Sequence, residues 1–445
     1  MTPVMRAGLQ LGPLPTPYAD RGRPPLPRLM PVRQRFETPR VGDVAAAVRA
    51  ALAPLAGRVR AGERVALTAG SRGIHDLVIA LRTAGEVLRE LGAEPFVVPA
   101  MGSHGGATAE GQIGVLAHLG VSEESVAMAI RATMDTVVLG EIPGGPTVYL
   151  DANAAAADRI LVVNRVKPHT QFHGTIESGI SKMLAIGLGK RRGAEGIHAY
   201  GPAGLARFIP EIARHVVATN KVLGGLALVE NAVDETARVV LLEPADIAAP
   251  PESELLAEAG RLMGRLAFDD LDVLVVDEMG KNYSGSGMDP NVLGRLDLGH
   301  GAPPQLPDIR VVAVLSLSEV SDGNGCGVGQ ADFASRRLVE AIDLQTTYIN
   351  ILTSGLGGIR HGAIPVTLEN DEETIAAAIH RCGVPSAEEA HLVRIHDTGH
   401  LERLLVSESL AEEVAKHAHL EVLGDPAPIG FDDHGNVADF AAAFP

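Results

Sequence analysis

The stretch "RVALTAGSRGIHDLVIALRTAGEVLRELGAEPFVVPA", residues 64–100, contains the elements that decide the fold. Residues 64–70 form a short apolar run that ends at a glycine, which predicts a buried strand. Residues 76–91 carry apolar side chains at helical spacing, and residues 94–100 form a second apolar run. Strand, loop, helix and strand in this order are typical of a parallel sheet in an α/β protein.

The same alternation continues in both directions from this stretch. A helix is predicted at 43–57, another helix begins at Ala109, and a further strand is predicted at 158–166. A second α/β block starts near residue 271. Residues 271–295 are predicted as a strand that leads into a glycine-rich loop. Further strands are predicted at 308–319, 346–354 and 390–398, and a helix at 371–382. We therefore predict an α/β protein with two α/β domains on largely parallel, doubly wound sheets and a cofactor and substrate cleft between them.

A chain of 445 residues exceeds one ordinary hydrophobic core, so more than one domain is expected. We predict an N-terminal cofactor-binding and catalytic domain over 1–268, which begins with a Pro-rich arm, 1–40, draped over the surface. A C-terminal α/β domain follows over 269–420. The tail, 421–445, is expected to pack back on the first domain.

Composition narrows the classes of function. A net charge of -17 and an aromatic content of 3% oppose nucleic-acid binding, which needs a basic face and stacking surfaces. No run of about 18 uncharged apolar residues suggests a membrane span. The two cysteines, Cys326 and Cys382, share no metal-ligand spacing. Without a convincing secretory signal, we expect a cytoplasmic protein.

Three loops follow predicted strands and carry polar residues that suit a small-anion site. They are residues 69–76, 100–108 and 166–174, each with a glycine and at least one histidine. In open α/β sheets, ligands bind beyond the carboxyl ends of the strands. We therefore expect the three loops to meet at one edge of the first sheet and to form a site there.

The first two loops offer groups that bind an anion and move a proton. Backbone N–H groups of Gly70 and Ser71, with the guanidinium of Arg72, would hold a phosphate or carboxylate. A turn with a solvated arginine is the alternative. His104 lies among glycines in "GSHGG", where a ligand can approach closely, and histidine exchanges protons near pH 7. A water-exposed turn histidine is equally consistent with this segment.

The third loop is followed by a lysine on an apolar helix. Pro168 would hold the imidazole of His169 in one direction, whereas His173 is interpreted as a polar loop residue. The amine of Lys182 either reaches water or is desolvated and usable as a nucleophile. The residues alone favour the first alternative.

Two further features follow Lys182. The charged residues 190–192 are interpreted as a solvated run at the helix end. His198 would suit nickel, zinc, copper or iron through its neutral imidazole. The residues alone indicate an α/β enzyme whose His, Lys and Arg side chains bind a small anion.

The order and spacing of these motifs resemble the nickel-dependent lactate racemase family over most of the chain. The resemblance rests on Arg72 in the first loop, His104 in "GSHGG", His169 in "KPHTQF", Lys182 in "SGISKMLAIG", and His198 at sixteen residues after that lysine. The family uses a nickel-pincer nucleotide, pyridinium-3-thioamide-5-thiocarboxylic acid mononucleotide, which separate maturation enzymes make.

The resemblance implies a role for each matched residue. Lys182 would carry the nucleotide covalently and His198 would ligate nickel. Arg72 would hold the substrate carboxylate, while His104 and His169 would move protons on opposite sides of the substrate. The implied activity is racemisation or epimerisation of a 2-hydroxy acid by transient hydride transfer, through a 2-keto acid. Gly70 and Ser71 would contribute backbone N–H groups to cofactor binding.

The chain departs from the family at positions that bear on the substrate. Ala69 stands where the founding enzymes carry an Asp, three residues ahead of the loop arginine. In "GMDPNVLGRLD", Gly294 and Asp297 stand where the lactate enzymes carry a Gln and a Lys. Lys281 or Arg295 would supply the missing cation. These departures indicate a 2-hydroxy acid other than lactate.

Other classes of protein stay open at this point. An oxidoreductase that transfers hydride with NAD is one, although no clear GxGxxG enters a helix after the first strand. A non-catalytic protein that binds a small anion through these histidines is another. A zinc-type hydrolase is disfavoured because His198 lacks partners at recognisable spacing.

Overall fold

The computed structural model describes residues 9–14, 16–17, 25–296, 305–352 and 355–445. Glu37–Met263 forms one compact unit, called here the first unit. The described residues up to Phe36, together with those from Gly264 onward, form the second unit.

The strands of the described chain are, in order, β1 Leu29–Gln34, β2 Arg64–Ala69, β3 Glu94–Pro99, β4 Thr136–Glu141, β5 Thr147–Asp151, β6 Arg159–Arg165, β7 Val222–Glu230, β8 Thr236–Leu242, β9 Asp270–Met279, β10 Asp308–Leu317, β11 Phe333–Ser335, β12 Val366–Leu368, β13 Leu392–Ile395, β14 Arg403–Ser407 and β15 Leu420–Val422.

The α-helices of the same residues are α1 Val44–Leu52, α2 Leu77–Glu90, α3 Ala109–His118, α4 Glu123–Val126, α5 Ala152–Ala156, α6 Ile180–Lys182, α7 Lys190–His198, α8 Gly201–Val217, α9 Pro250–Leu262, α10 Pro290–Leu293, α11 Arg336–Glu340, α12 Leu344–Leu352, α13 Gly355–His361, α14 Asp371–Arg381 and α15 Ala411–Lys416. A π-helical turn, Met183–Gly187, follows α6 directly. No helix of the described residues is long and apolar enough to cross a membrane.

The first unit is built on a five-stranded sheet in the order β3-β2-β6-β7-β8. β2 pairs in parallel with β3 and β6, and β6 pairs in parallel with β7, so only the edge strand β8 runs antiparallel. Side chains of β2 alternate between two apolar clusters, with Ala66 in one and Val65 and Leu67 in the other. The sheet is therefore covered on both faces, as parallel sheets are.

The second unit holds an eight-stranded sheet in the order β12-β11-β10-β9-β13-β14-β1-β15. β12, β11, β10, β9 and β13 are parallel, and β14, β1 and β15 extend the sheet through antiparallel pairs. The predicted fold class, α/β with largely parallel sheets, is confirmed.

The expectation of a surface arm over residues 1–40 is wrong for 29–34. These residues form β1, a strand inside the second unit's sheet, and Val32 is fully buried against that unit's core. The prolines did not prevent pairing, because β1 exchanges hydrogen bonds with β14 on one side and β15 on the other.

The tail, 421–445, belongs to the second unit and packs on that unit's sheet. Phe440 is buried in an apolar cluster with Ile375 and Leu392. The backbone N–H of Val437 donates to Asp371 Oδ2 at 3.0 Å. These contacts hold the tail against α14 and the sheet of its own unit.

The strand predicted at 346–354 is also wrong, since 344–352 is helix α12; residues 353–354 lie outside the described part. The segment has β-branched residues that favour strands. However, Thr347 and Ile351, four residues apart, are both buried, which is the spacing of one helix face. Asp343 Oδ1 also accepts from the backbone N–H of Thr346 at 2.7 Å, near the start of the helix.

Candidate active site

The parallel strands of the first unit bring the three loops to one edge of the sheet. The loops leave the carboxyl ends of β2, β3 and β6, which are neighbours and point the same way. The first loop carries Arg72, the second His104 and the third His169. This is the arrangement that the strand order of an open α/β sheet favours for ligand binding.

A lysine and a histidine form the centre of the site. Lys182 Nζ lies 2.6 Å from His169 Nε2. The backbone N–H of Gln171 donates to His169 Nδ1 at 3.0 Å, so Nδ1 carries no proton and the neutral ring has its proton on Nε2. That proton points to Lys182, whose nitrogen must accept it. The geometry therefore pairs a neutral imidazole with a neutral amine.

The electrostatics of the pair agree with this assignment. Burial and, second, the positive charge of Arg72 lower the pKa of Lys182 to about 7, against the opposite influence of Glu177. Burial also lowers the pKa of His169 well below its ordinary value, with further contributions from Lys182, His198 and Arg72. Both pKa shifts favour the neutral form of the side chain.

The turn before Lys182 is fixed by a buried carboxylate. Glu252, on α9, accepts from Ser181 N at 2.8 Å and Ser181 Oγ at 2.5 Å, and its Oε2 accepts from Ala248 N at 2.8 Å. A Cβ at Gly179 would lie 3.0 Å from Glu252 Oε1, so a side chain at this position would crowd the carboxylate. The π-helical turn after Lys182 adds a second irregularity, and such turns are frequent at functional sites.

A second buried carboxylate, Glu177, shapes the loop of His169. It accepts from His169 N at 2.6 Å and from Gly174 N at 3.1 Å, and it pairs with His173 Nδ1 at 3.1 Å. The hydrogen bond from Glu177 raises the pKa of His173. His173, interpreted from the sequence as a polar loop residue, thus helps to neutralise the carboxylate that orients His169.

His198 is prepared to act as a ligand through one nitrogen. It is the last residue of α7, and its Nδ1 lies 2.7 Å from the carbonyl oxygen of Ala194. A carbonyl only accepts, so Nδ1 carries the proton and Nε2 presents a lone pair. Burial lowers the pKa of His198, which keeps the ring neutral. A neutral imidazole with one anchored N–H is the usual form of a metal-bound histidine.

The loop of Arg72 is held by β7. Glu230, at the end of that strand, accepts from His75 N at 2.8 Å and forms an ion pair with Arg165. Arg72 itself is exposed, and its charge reaches both Lys182 and His169. Gly70 lies beside the lysine helix, since a Cβ there would stand 3.5 Å from Met183 Cε. Ser71 follows at the turn.

The loop of His104 is anchored through Gln112 on α3. Gln112 Nε2 donates to Gly102 O at 2.9 Å and, more weakly, to His104 O at 3.4 Å. Gly102 N donates to Gly187 O at 3.2 Å, on the turn that follows Lys182. The loop of His104 is therefore hydrogen-bonded to the lysine segment through its backbone, while the His104 side chain is exposed.

Lys190 corrects the interpretation of residues 190–192 as a solvated run. Its side chain is fully buried, and Nζ contacts Asp151 Oδ2 at 3.0 Å, Gln112 Oε1 at 2.9 Å and Pro99 O at 2.6 Å. Its backbone φ is 53°, a left-handed conformation that costs a non-glycine residue about 1–2 kcal/mol. Only Arg191 and Arg192 of the run are exposed.

Lys281 and Arg295, the two residues suggested to bind the substrate, lie at opposite ends of the parallel strands in the second unit's sheet. Lys281 follows the carboxyl end of β9; its N–H donates to Ser321 Oγ at 2.8 Å and its Nζ to Gly285 O at 2.5 Å. Arg295 contacts Ile309 O, at the amino end of β10, and forms an ion pair with Asp332 Oδ2 at 2.7 Å. Arg295 therefore has a structural role at the amino ends of the strands, away from the loops that follow their carboxyl ends.

Gly294 has no room for a side chain. Its φ is 63°, and a Cβ there would lie 1.9 Å from Pro307 O, so no longer side chain fits. Asp297, the second residue that the sequence analysis singled out in this segment, lies outside the described residues.

Sequence reasoning missed the residues that position the site: Glu177, Glu252, Glu230, Gln112, Asp151 and Lys190. No local pattern in the sequence marks them; Glu177, for example, stands in the mixed segment "TIESG", residues 175–179. Their partners are too distant along the chain for spacing to reveal them. Lys190 and Gln112, for example, are 78 residues apart.

No cluster of three or more His, Cys, Asp or Glu side chains suited to a metal ion occurs within the described ranges. The tautomer of His198 leaves its Nε2 lone pair available to a ligand. Lys182 and His198 lie in one electrostatic environment, because a positive charge on Lys182 would lower the pKa of His198.

Comparisons with known proteins give only distant likeness. No family model and no curated protein sequence matches the chain. A solved structure of a Thermotoga maritima protein is 12% identical, with a TM-score of 0.46, over 77% of this chain and 84% of that one. The lactate racemase apoprotein from Thermoanaerobacterium thermosaccharolyticum is 12% identical, with a TM-score of 0.45, over 82% and 84%. Likeness at this level says nothing about the site residues of this chain.

Proposed function

We propose that this protein is a racemase or epimerase of a 2-hydroxy acid other than lactate, working with a nickel-pincer nucleotide attached to Lys182. The observation that supports this most is the neutral Lys182 amine, paired with His169 at 2.6 Å at the carboxyl edge of a parallel sheet. A covalent attachment point needs an unprotonated nitrogen, and this lysine has one near pH 7.

The residues present fit such a group. Lys182 would hold the nucleotide, and His198 would bind nickel through Nε2, since its Nδ1 is committed to Ala194 O. Gly70 and Ser71 would offer backbone N–H groups to the phosphate. The bound nucleotide would supply the transient oxidation of the substrate α-carbon to a 2-keto acid and the return reduction.

The protein's own groups would orient the substrate and move its proton. Arg72 is exposed beside the Lys182–His169 pair and would bind the substrate carboxylate through its planar fork. His169 presents an N–H, so it would donate to the substrate hydroxyl oxygen. To accept a proton on Nε2, the ring must take its other tautomer and lose the hydrogen bond from Gln171.

His104 would serve the opposite face of the substrate, where a second proton carrier is needed for inversion. Its loop is held by Gln112 and touches the segment after Lys182 through Gly102 and Gly187. Two histidines on separate loops, each held by its own buried polar residue, support a two-sided site.

The test uses single enantiomers of a panel of 2-hydroxy acids carrying deuterium at the α-carbon. Protein co-expressed with the cofactor-making enzymes is expected to produce the other enantiomer with the deuterium retained, because oxidation and reduction return the same hydrogen. The Lys182→Arg variant, prepared identically, is expected to convert none. Exchange of the α-deuterium with solvent would instead indicate proton abstraction and would contradict the proposal.

A further inference from the structure

We propose that Lys182, in protein that carries no nucleotide, condenses with the carbonyl group of a 2-keto acid to form an imine. This reactivity belongs to the chain itself and does not need nickel or the nucleotide. It would make the site a carbonyl-binding site in its own right.

The hydrogen bonds around the Lys182 nitrogen leave it with a lone pair. Gln171 N donates to His169 Nδ1, so His169 Nε2 carries the ring proton and Lys182 Nζ accepts it. An amine that accepts a hydrogen bond has its lone pair and is a nucleophile. Within the described ranges, no carboxylate forms an ion pair with Lys182 that would hold it as an ammonium ion.

The surroundings of Lys182 also disfavour a positive charge on its amine. Arg72 opposes a positive charge on the amine, whereas Glu177, which is occupied by His169 N, Gly174 N and His173, favours one. Burial outweighs Glu177 and brings the pKa to about 7. Burial keeps His198 neutral, so its ring contributes no negative charge that would favour protonation of Lys182.

Lys190 provides the contrast within the same protein. It is more deeply buried than Lys182, yet its three nitrogen contacts are all acceptors: Asp151 Oδ2, Gln112 Oε1 and Pro99 O. Gln112 Oε1 and Pro99 O accept hydrogen bonds from this nitrogen, and the Asp151 carboxylate at ion-pair distance favours its ammonium form against the effect of burial, which lowers its pKa. Lys190 therefore has no lone pair to offer, while the side chain of Lys182 is only partly buried and can be reached.

Arg72 favours a carbonyl compound that carries a carboxylate. Arg72 is the exposed cation whose charge acts on this pair, and its planar guanidinium suits a carboxylate. A 2-keto acid places its carbonyl carbon next to that carboxylate, so binding at Arg72 would bring the carbon to Lys182. A carbonyl compound without the carboxylate would lack this anchor.

The chemical step is balanced without a further reagent. The Lys182 lone pair forms a nitrogen–carbon bond as the carbonyl π electrons move to oxygen. The two protons of the amine then leave with that oxygen as one water molecule, and a carbon–nitrogen double bond remains. No oxidant or reductant is consumed, and the imine hydrolyses in the reverse direction.

The experiment treats full-length protein, expressed without the cofactor-making enzymes, with pyruvate and sodium cyanoborohydride. Intact mass and peptide mapping then locate any reduced adduct. One carboxyethyl group on Lys182 is expected at pH 7, formed about tenfold or more faster than on any other lysine, since ordinary lysines are almost wholly protonated there. The rate at Lys182 should rise through pH 7 and level off above it.

Three controls separate specific from general reactivity. Lys182→Arg should abolish the adduct, and Lys190 should stay unmodified in the wild-type peptide map. Arg72→Gln should slow the reaction with pyruvate more than the reaction with acetaldehyde, which has no carboxylate, because the loss of the Arg72 charge raises the pKa of Lys182 equally in both reactions. Because the wild-type map alone identifies the lysine, the test holds even if a variant does not fold.

Equal labelling of many lysines, or no adduct at Lys182, would overturn the inference. Its failure is distinct from failure of the racemase proposal, which concerns protein loaded with nucleotide. Imine formation is tested on protein expressed without the cofactor-making enzymes, and racemisation on protein expressed with them. Either result can be positive while the other is negative.

Discussion

Lys182 Nζ lies 2.6 Å from His169 Nε2, and the amide of Gln171 fixes which of the two carries the shared proton. A lysine in this state is destabilising for the folded protein, because the unfolded chain would protonate it freely. Reactivity and stability are therefore opposed at this position, as is common in active sites.

Replacing Lys182 by Met should stabilise the protein. The folded pKa is about 7 and the ordinary value is 10.5, so between these pH values the unfolded chain binds a proton that the folded chain does not. Stability is consequently lost as pH falls from 10.5 to 7, and the variant avoids this loss. The thermal midpoint of Lys182→Met should exceed that of wild type by a few degrees at pH 7 and by much less at pH 10 or above.

The control for this prediction is Lys416→Met, at an exposed lysine paired with Glu413. It should leave the midpoint almost unchanged at each pH. A Lys182→Met variant less stable than wild type at pH 7 would show that the amine is charged and satisfied.

Replacing Lys190 by Met should have the opposite effect. It leaves Asp151 buried without its cation, which costs about 3–5 kcal/mol in unfolding free energy. Adding Asp151→Asn should recover part of that loss, since the unpaired charge is then removed. Denaturant titration measures both, with exposed Arg191→Met as the matched control. Equal stabilities of Lys190→Met and Arg191→Met would contradict the buried ion pair.

Gln112→Met should loosen the loop of His104 without removing a site residue. The variant loses the hydrogen bonds to Gly102 O and His104 O and one acceptor for Lys190. Amide hydrogen exchange over residues 102–106 should accelerate by about tenfold, as expected when roughly 1.4 kcal/mol of local stability is lost. Residues 171–174, held by Glu177 instead, serve as the internal reference and should exchange as in wild type.

Glu177→Gln should lower two pKa values together. The carboxylate raises the pKa of His173 and opposes the lowering at Lys182, so its neutralisation removes both influences. Imidazole resonances followed by NMR should show His173 titrating at a lower pH than in wild type. The pH midpoint of Lys182 modification should also fall. Unchanged titration of His173 would mean that the Glu177 contact is absent in solution.

The sequence was informative about strands and about where loops would gather. The apolar runs at β2, β3 and β6 predicted parallel strands, and their order placed Arg72, His104 and His169 at one edge. Periodicity could not show that Lys190 is buried, because its partners come from other segments: Asp151 from the end of β5 and Gln112 from α3.

The tautomer of His169 was equally beyond sequence reasoning. It depends on one backbone N–H, that of Gln171, and on the loop shape imposed by Glu177. The residues 29–34 show the same limit at the level of the fold. A Pro-rich composition suggested a surface arm, but the long-range pairing with β14 and β15 decided the conformation.

The central claim is that Lys182 is the attachment point of a nickel-pincer nucleotide, and the most direct measurement is intact mass with nickel analysis of protein co-expressed with the cofactor-making enzymes. A nucleotide-sized adduct mapped to Lys182 with near-stoichiometric nickel, absent from Lys182→Ala, is the result expected. Protein without adduct or nickel, under conditions in which a known family member is loaded, would contradict the claim.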